Sequence, residues 1–281
     1  MIAHRLNAIA PFHAMALLAR ARELEAQGRS VVHMEIGEPD FATPQPVVDA
    51  GINALRQDKT HYTPAVGLPE LREAIADYYL SQFQAKIDPR RVVVTPGASG
   101  ALQLILAMLV NPGSQVLMAD PGYPCNRNLV FLFEGEPVMV PVEAQHHYQL
   151  STELLQHYWS DRTSCVMVAS PSNPTGTVMS RDRLEALLQT VRDRGGQLIV
   201  DEIYQSLWYE EVPETALTLG EDVFVINSFS KYFGMTGWRL GWLVAPEDAV
   251  DQLDKLAQNL FLSAPTPAQH AALAAFQPET Q

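Results

Sequence analysis

Residues 91–110 read RVVVTPGASGALQLILAMLV, and the fold follows from how this stretch changes its period. Arg91 to Thr95 is a β-branched run, the composition of a strand. Pro96-Gly97-Ala98-Ser99-Gly100 is a turn of small residues, and Ala101 to Val110 is an apolar helix that Asn111-Pro112-Gly113 stops. The alternation continues downstream. Strands are predicted at Gln115–Ala119, Pro137–Val142, Cys165–Ala169, Leu198–Asp201, Val223–Asn227 and Leu240–Ala245, and helices over 124–133, 151–159, 180–193 and Glu247–Asn259. Upstream, helices are predicted over 13–27, from Pro44 and Pro46 onward, and over Pro69–Phe83, with a short strand Val31–Ile36 before the turn Gly37–Asp40. Strands alternating with helices predict an α/β fold: three layers, α/β/α, around a mostly parallel sheet. Ligands of such sheets sit beyond the carboxyl ends of the strands, so chemistry is sought just after each strand.

Length and composition narrow the classes. The chain has 281 residues, 47% hydrophobic and 18% charged, enough to bury a large core. Nineteen Lys and Arg against 32 Asp and Glu leave a net charge of −13, which argues against nucleic-acid partners and anionic membranes. The longest apolar run, Ala101–Val110, is too short to span a bilayer, which takes ~20 residues. The two cysteines, Cys125 and Cys165, have no metal-ligand spacing, so no metal is expected; reduced thiols fit a cytoplasmic protein.

The strand ends do carry reactive types. Gly97, Ala98 and Ser99 could bring backbone N–H groups and a helix N-terminus to an anion, although a plain tight turn reads the same way. Lys231 lies in Asn227-Ser228-Phe229-Ser230-Lys231-Tyr232, a segment without acidic neighbours, where desolvation would make its amine nucleophilic. Taken alone, a surface cation near a turn is the simpler reading. Arg239 is a bidentate donor suited to phosphate or carboxylate, and Ser228 adds a hydroxyl. Asp201 follows the apolar run Leu198-Ile199-Val200, where a carboxylate needs a cationic or hydrogen-bonding partner; capping a following helix is the simpler alternative. Tyr204 would face the same side one turn on.

Together these segments resemble the class I/II pyridoxal-phosphate aminotransferases, the fold type I enzymes similar to aspartate aminotransferase. Ser228-Phe229-Ser230-Lys231 followed by Gly237-Trp238-Arg239-Leu240-Gly241 is similar to the family's lysine signature. Gly37-Glu38-Pro39-Asp40-Phe41, Tyr62-Thr63-Pro64-Ala65-Val66-Gly67, Gly97-Ala98-Ser99-Gly100-Ala101-Leu102, Pro121-Gly122-Tyr123-Pro124, Ser172-Asn173-Pro174-Thr175-Gly176 and Asp201-Glu202-Ile203-Tyr204 match in the family's order. The resemblance implies a cofactor, pyridoxal 5'-phosphate, joined to Lys231 as a Schiff base, with Lys231 later moving the Cα proton. It implies that Asp201 keeps the pyridine nitrogen protonated and that Tyr204 and Asn173 hydrogen-bond the ring oxygen. Gly97, Ala98, Ser99, Ser228, Ser230 and Arg239 would hold the phosphate end, and Tyr123 would stack on the ring. Gly37, with Asn173, would help hold the substrate carboxylate. Tyr62 would reach the neighbouring subunit's site, which implies a homodimer. The implied reaction moves an amino group between an amino acid and a 2-oxo acid. Elimination, C–S lysis or decarboxylation on the same site, or a non-catalytic cofactor-binding module, stay open at this point.

The resemblance also implies two domains: residues 1–44 as part of a small domain and 45–281 as the cofactor-binding domain, with 247–281 leading into a C-terminal small-domain segment that this chain lacks. Family members carry a carboxylate-clamping arginine there, and no arginine follows Arg239. The expectation is a chain that binds cofactor but transaminates poorly.

Overall fold

The structure is a computed structural model and describes residues 2–210, 212–278 and 280. Its helices are α1 (His13–Ala26), α2 (Gln45–Arg56), α3 (Pro69–Phe83), α4 (Gly97–Leu109), α5 (Pro124–Leu132), α6 (Thr152–Tyr158), α7 (Arg181–Asp193), α8 (Val250–Leu260) and α9 (Thr266–Leu273). Its strands are β1 (Val92–Thr95), β2 (Gln115–Asp120), β3 (Glu136–Pro141), β4 (Thr163–Ala169), β5 (Gln197–Asp201), β6 (Phe224–Ser228) and β7 (Gly241–Val244).

The strands form one sheet in the order β1-β7-β6-β5-β4-β2-β3. Neighbours from β6 to β3 run parallel, and β7 is antiparallel to both β6 and β1. The segment joining β6 to β7, residues 229–240, holds no α-helix to carry the chain across a face of the sheet, and β7 returns antiparallel beside β6. Because β7 reverses between them, β1 and β6 still point the same way, so their carboxyl ends reach the same edge as those of β2, β4 and β5.

Side chains along each strand alternate between two cores. Val92, Val94, Val166, Val168, Leu198, Val200 and Val225 pack with α3, α7 and α9 on one face. Val93, Cys165, Met167, Ile199, Phe224 and Ile226 pack with α4 and α8 on the other. This alternation is the period of two expected of strands, here with both faces covered. Helix α3 shows how the sequence builds one layer. Pro69 occupies its first turn, Leu71, Ile75, Tyr78 and Tyr79 fall on one buried face, and Gln84 ends it in a left-handed conformation.

Several sequence expectations change. Val31–Ile36 is not a strand: Val32 and Met34 are 82% and 88% exposed, residues 35 and 36 form a bend, and no ladder partner lies beside the segment among the described residues. A segment without a neighbouring strand has no ladder of backbone hydrogen bonds to hold it as one. Instead His33 bridges Glu35 (2.7 Å) and Glu25 (3.0 Å), and these carboxylates raise its pKa. The turn expected at 97–100 is already the first turn of α4. Residues 203–206, directly after β5, form turns rather than a helix, so Asp201 caps none. Helix α9, which the sequence reading left out, packs against α2 and α3.

Candidate active site

A cleft of about 1230 Å³ opens at the carboxyl edge of the sheet. It gathers Ala98 and Ser99 from the start of α4, Tyr123 from the start of α5, and Asn173 from the loop after β4. Asp201 and Tyr204 enter after β5, Ser228, Ser230, Lys231 and Arg239 after β6, and Gly37 from the N-terminal segment. Gly97 is buried just behind this lining. Tyr62 is not brought in; it stands 80% exposed on a loop.

One end of the cleft is built for an anion. The first N–H groups of α4 have no partner within the helix and carry its positive dipole end. Gly97 has φ +70°, and a Cβ there would lie 2.8 Å from Arg239 Nη2, so the guanidinium packs where only glycine leaves room. Arg239 is itself left-handed (φ 53°), and its Nη1 donates to Thr236 O at 3.0 Å. Among the described residues it has no carboxylate partner within salt-bridge distance. The Ser228 hydroxyl accepts from Ser230 N (3.0 Å) and donates to Leu240 O (3.3 Å), which fixes the loop carrying both residues.

At the centre stand an amine and a carboxylate. Lys231 Nζ donates to Gly37 O at 2.5 Å and lies 6.0 Å from the centroid of the Tyr204 ring. Burial lowers its pKa; nearby Glu38 works against this shift and Arg239 with it. Asp201 sits on the cleft floor, reached by solvent only through the opening. Its Oδ1 accepts one bond, from Ile203 N at 3.1 Å. Burial pushes its carboxyl up to about 6, with that bond opposing the shift. No cation lies within ion-pair distance of it among the described residues, so a positively charged N–H donor would complete it.

Tyr204 and Asn173 meet across the cleft, with Asn173 Nδ2 donating to the Tyr204 hydroxyl at 3.4 Å. Burial and the Asp201 charge raise the Tyr204 pKa. Tyr123 is half-buried, its phenol pushed up chiefly by burial, and Phe12 meets it edge-to-face at 5.8 Å.

Other lining residues escaped the sequence reading. Asn126, one turn into α5, is buried with its Oδ1 unpartnered among the described residues. Phe12, Ile36, Leu207 and Trp208 also line the cleft. Their positions carry no motif; only the fold brings them to the site.

A family model described as "Aminotransferase class I and II" matches residues 29–281. The (5-formylfuran-3-yl)methyl phosphate transaminase of Methanocaldococcus jannaschii is 39% identical over 284 residues, covering 100% of this chain and 74% of that protein. The valine–pyruvate aminotransferase of Mycobacterium tuberculosis is 37% identical over 273 residues, covering 96% of this chain and 70% of that protein. Among solved structures, an aminotransferase from Mycobacterium tuberculosis superposes with a TM-score of 0.95 at 36% identity, covering 100% of this chain and 72% of that one. Aspartate aminotransferase from Thermus thermophilus, solved with maleate, gives 0.94 at 32% identity, covering 99% of this chain and 73% of that one.

Proposed function

The chain belongs to the class I and II aminotransferases, enzymes that move an amino group between an amino acid and a 2-oxo acid, and we propose that it does so with pyridoxal 5'-phosphate carried on Lys231. One observation supports this above the others. A desolvated amine, Lys231, and an unpaired carboxylate, Asp201, share one cleft with an anion cradle that has no anion-bearing side chain of its own. Each group lacks the partner that this cofactor offers: an aldehyde for the amine, a pyridinium N–H for the carboxylate and a phosphate for the cradle.

Pyridoxal phosphate, when bound, supplies the aldehyde and a ring that takes up the electron pair left when a Cα–H bond breaks. The chain's residues do the rest. The first turn of α4, Ser99, Ser228 and Arg239 hold the phosphate by charge-assisted bonds. Gly97 leaves the room for Arg239 to do so, and Ser230 fixes Ser228 through its backbone N–H. Asp201 accepts the ring N–H and keeps that proton in place. Tyr204 and Asn173 donate to the ring oxygen, and Tyr123 covers a ring face. Once freed, Lys231 would take the proton from Cα as general base and deliver it to the carbon that carried the cofactor's aldehyde, on the far side of the transferred nitrogen, and its lowered pKa leaves more of the amine unprotonated for that step. Gly37, whose carbonyl holds the Lys231 amine, and Asn173 border the place for the substrate carboxylate.

The same reading takes residues 45–281 as the cofactor-binding body and residues 1–44 as part of a second, smaller domain. It takes the enzyme as a cytoplasmic homodimer. Tyr62 stands exposed and away from its own cleft, which suits a role in the neighbouring subunit's site. No helix among the described residues is long and apolar enough to cross a membrane.

The deciding experiment is to incubate the protein with pyridoxal phosphate, reduce with borohydride and map the modified peptide. The label is expected on the peptide carrying Lys231 and is expected to be absent from Lys231→Ala. A label distributed over other lysines, or none, refutes the reading.

A further inference from the structure

The cleft extends beyond the groups used so far, and its remaining wall is apolar. Phe12 stands edge-to-face on Tyr123, ring centroids 5.8 Å apart and planes at 76°. Ile36 directly precedes Gly37, whose carbonyl holds the Lys231 amine. Leu207 closes a turn on Tyr204, its N–H donating to Tyr204 O at 2.9 Å, and the Tyr204 ring is 6.0 Å from Lys231 Nζ. Each of these apolar residues lines the same cleft as Lys231. Trp208 continues the wall, and it and Leu207 are 46% and 48% exposed. Apolar area of this kind, in the lining of a cleft and partly open to water, is characteristic of a ligand-binding surface.

Charge points the same way. Besides Asp201 on the floor, the ionisable carboxylates lining the cleft are Glu35 and Glu210. The lining cations among the described residues are Lys231 and Arg239, the first at the amine position and the second at the anion cradle. Among this chain's lining residues, a second carboxylate on a substrate side chain would thus meet acidic neighbours and apolar surface, with both cations already engaged.

We propose that this wall of Phe12, Ile36, Leu207 and Trp208 seats the substrate's side chain, and that the enzyme prefers amino acids with aromatic or large apolar side chains over acidic ones. The inference rests on the reading of Lys231 as the reacting amine and deepens it by naming the substrate class. An aromatic side chain offers the largest apolar area per rotatable bond, and its edges suit contact with the Phe12 and Trp208 rings.

The test uses two carboxylates that lack an amino group and so bind without reacting: 3-phenylpropionate and maleate. Each is titrated by calorimetry into protein loaded with pyridoxal phosphate, and loading is checked separately by borohydride fixation on the Lys231 peptide. The wall predicts that 3-phenylpropionate binds at least ~10-fold more tightly than maleate. Leu207→Lys, at a half-exposed position where a charge need not be buried, is expected to raise maleate affinity at least ~5-fold and to weaken 3-phenylpropionate. Fixation on Lys231 with maleate binding as tightly as 3-phenylpropionate, or tighter, overturns the side-chain inference alone. So does a Leu207→Lys protein that keeps the native circular dichroism and changes neither affinity. Absence of fixation overturns the cofactor reading and, with it, the premise of the wall.

Discussion

Replacing Asp201 with Asn separates what the carboxylate does for folding from what it does for binding. Burial moves this carboxyl from its ordinary 3.8 to about 6, opposed only by the bond from Ile203 N. An acid with a raised native pKa holds its proton more tightly in the folded chain than in the unfolded one. Its effect on stability is therefore absent below pH 4, appears as a loss as pH rises from 4 through about 6, and is complete above that. The full shift corresponds to ~3 kcal/mol, and water in the open cleft reduces it to about 1–3 kcal/mol. Asn keeps an oxygen for the Ile203 N–H and carries no charge. Without cofactor, Asp201→Asn should therefore be more stable than the natural protein by about 1–3 kcal/mol at pH 8 and equal to it at pH 4. The assay is urea denaturation followed by circular dichroism across that pH range. Adding pyridoxal phosphate should reverse the order at pH 8, because the cofactor binds more tightly to, and so stabilises more, the protein that pairs the ring N–H. A cofactor-free variant less stable than the natural protein at pH 8 would mean that the carboxylate already has a favourable partner, and the argument for a cationic ligand would fail.

Arg239→Lys should weaken pyridoxal phosphate binding by ~10-fold or more in a spectroscopic titration, because an ammonium cannot reproduce a guanidinium's two-point hold on phosphate. Gly97→Ala should do the same at unchanged charge, since its Cβ would lie 2.8 Å from Arg239 Nη2 at φ +70°. Glu202 is fully buried and accepts from Thr215 Oγ1 (2.9 Å) and Ala216 N (2.8 Å), so it closes the loop that carries Tyr204. Glu202→Ala should cost about 2–4 kcal/mol in urea denaturation by stranding both donors, and Glu202→Gln much less. Burial lifts this carboxyl from 4.5 to about 8, so the natural protein should lose stability relative to Glu202→Gln as pH rises between those values. Gly67→Ala should lower the thermal midpoint by several degrees, on the order of 2 kcal/mol, because φ is +102° and a Cβ would lie 2.5 Å from the Val94 side chain.

The sequence by itself determined the layered α/β architecture, most strand and helix positions and the residues at the strand ends. These are local signals: β-branched runs, helical apolar periodicity and small-residue turns leave their mark within a few residues of where they act. It also determined the family, because an ordered series of short motifs around Lys231 and Asp201 is specific even where each alone reads as a turn or a cap. Tertiary structure decided the rest. Val31–Ile36 has strand composition, yet a strand exists only where another offers its backbone, and none lies beside this segment among the described residues. Strand β7 reverses although the segment carrying Lys231 and Arg239, residues 229–240, is as long as a short crossover; it holds no crossover helix. Asp201 could have been a helix cap; that it stands unpaired in the cleft depends on segments as far apart as Gly37 and Arg239 and on the turns, rather than a helix, that directly follow β5. The apolar wall of Phe12, Ile36, Leu207 and Trp208 joins segments nearly two hundred residues apart. No sequence window contains it, since burial and proximity belong to the folded chain and not to any stretch of it.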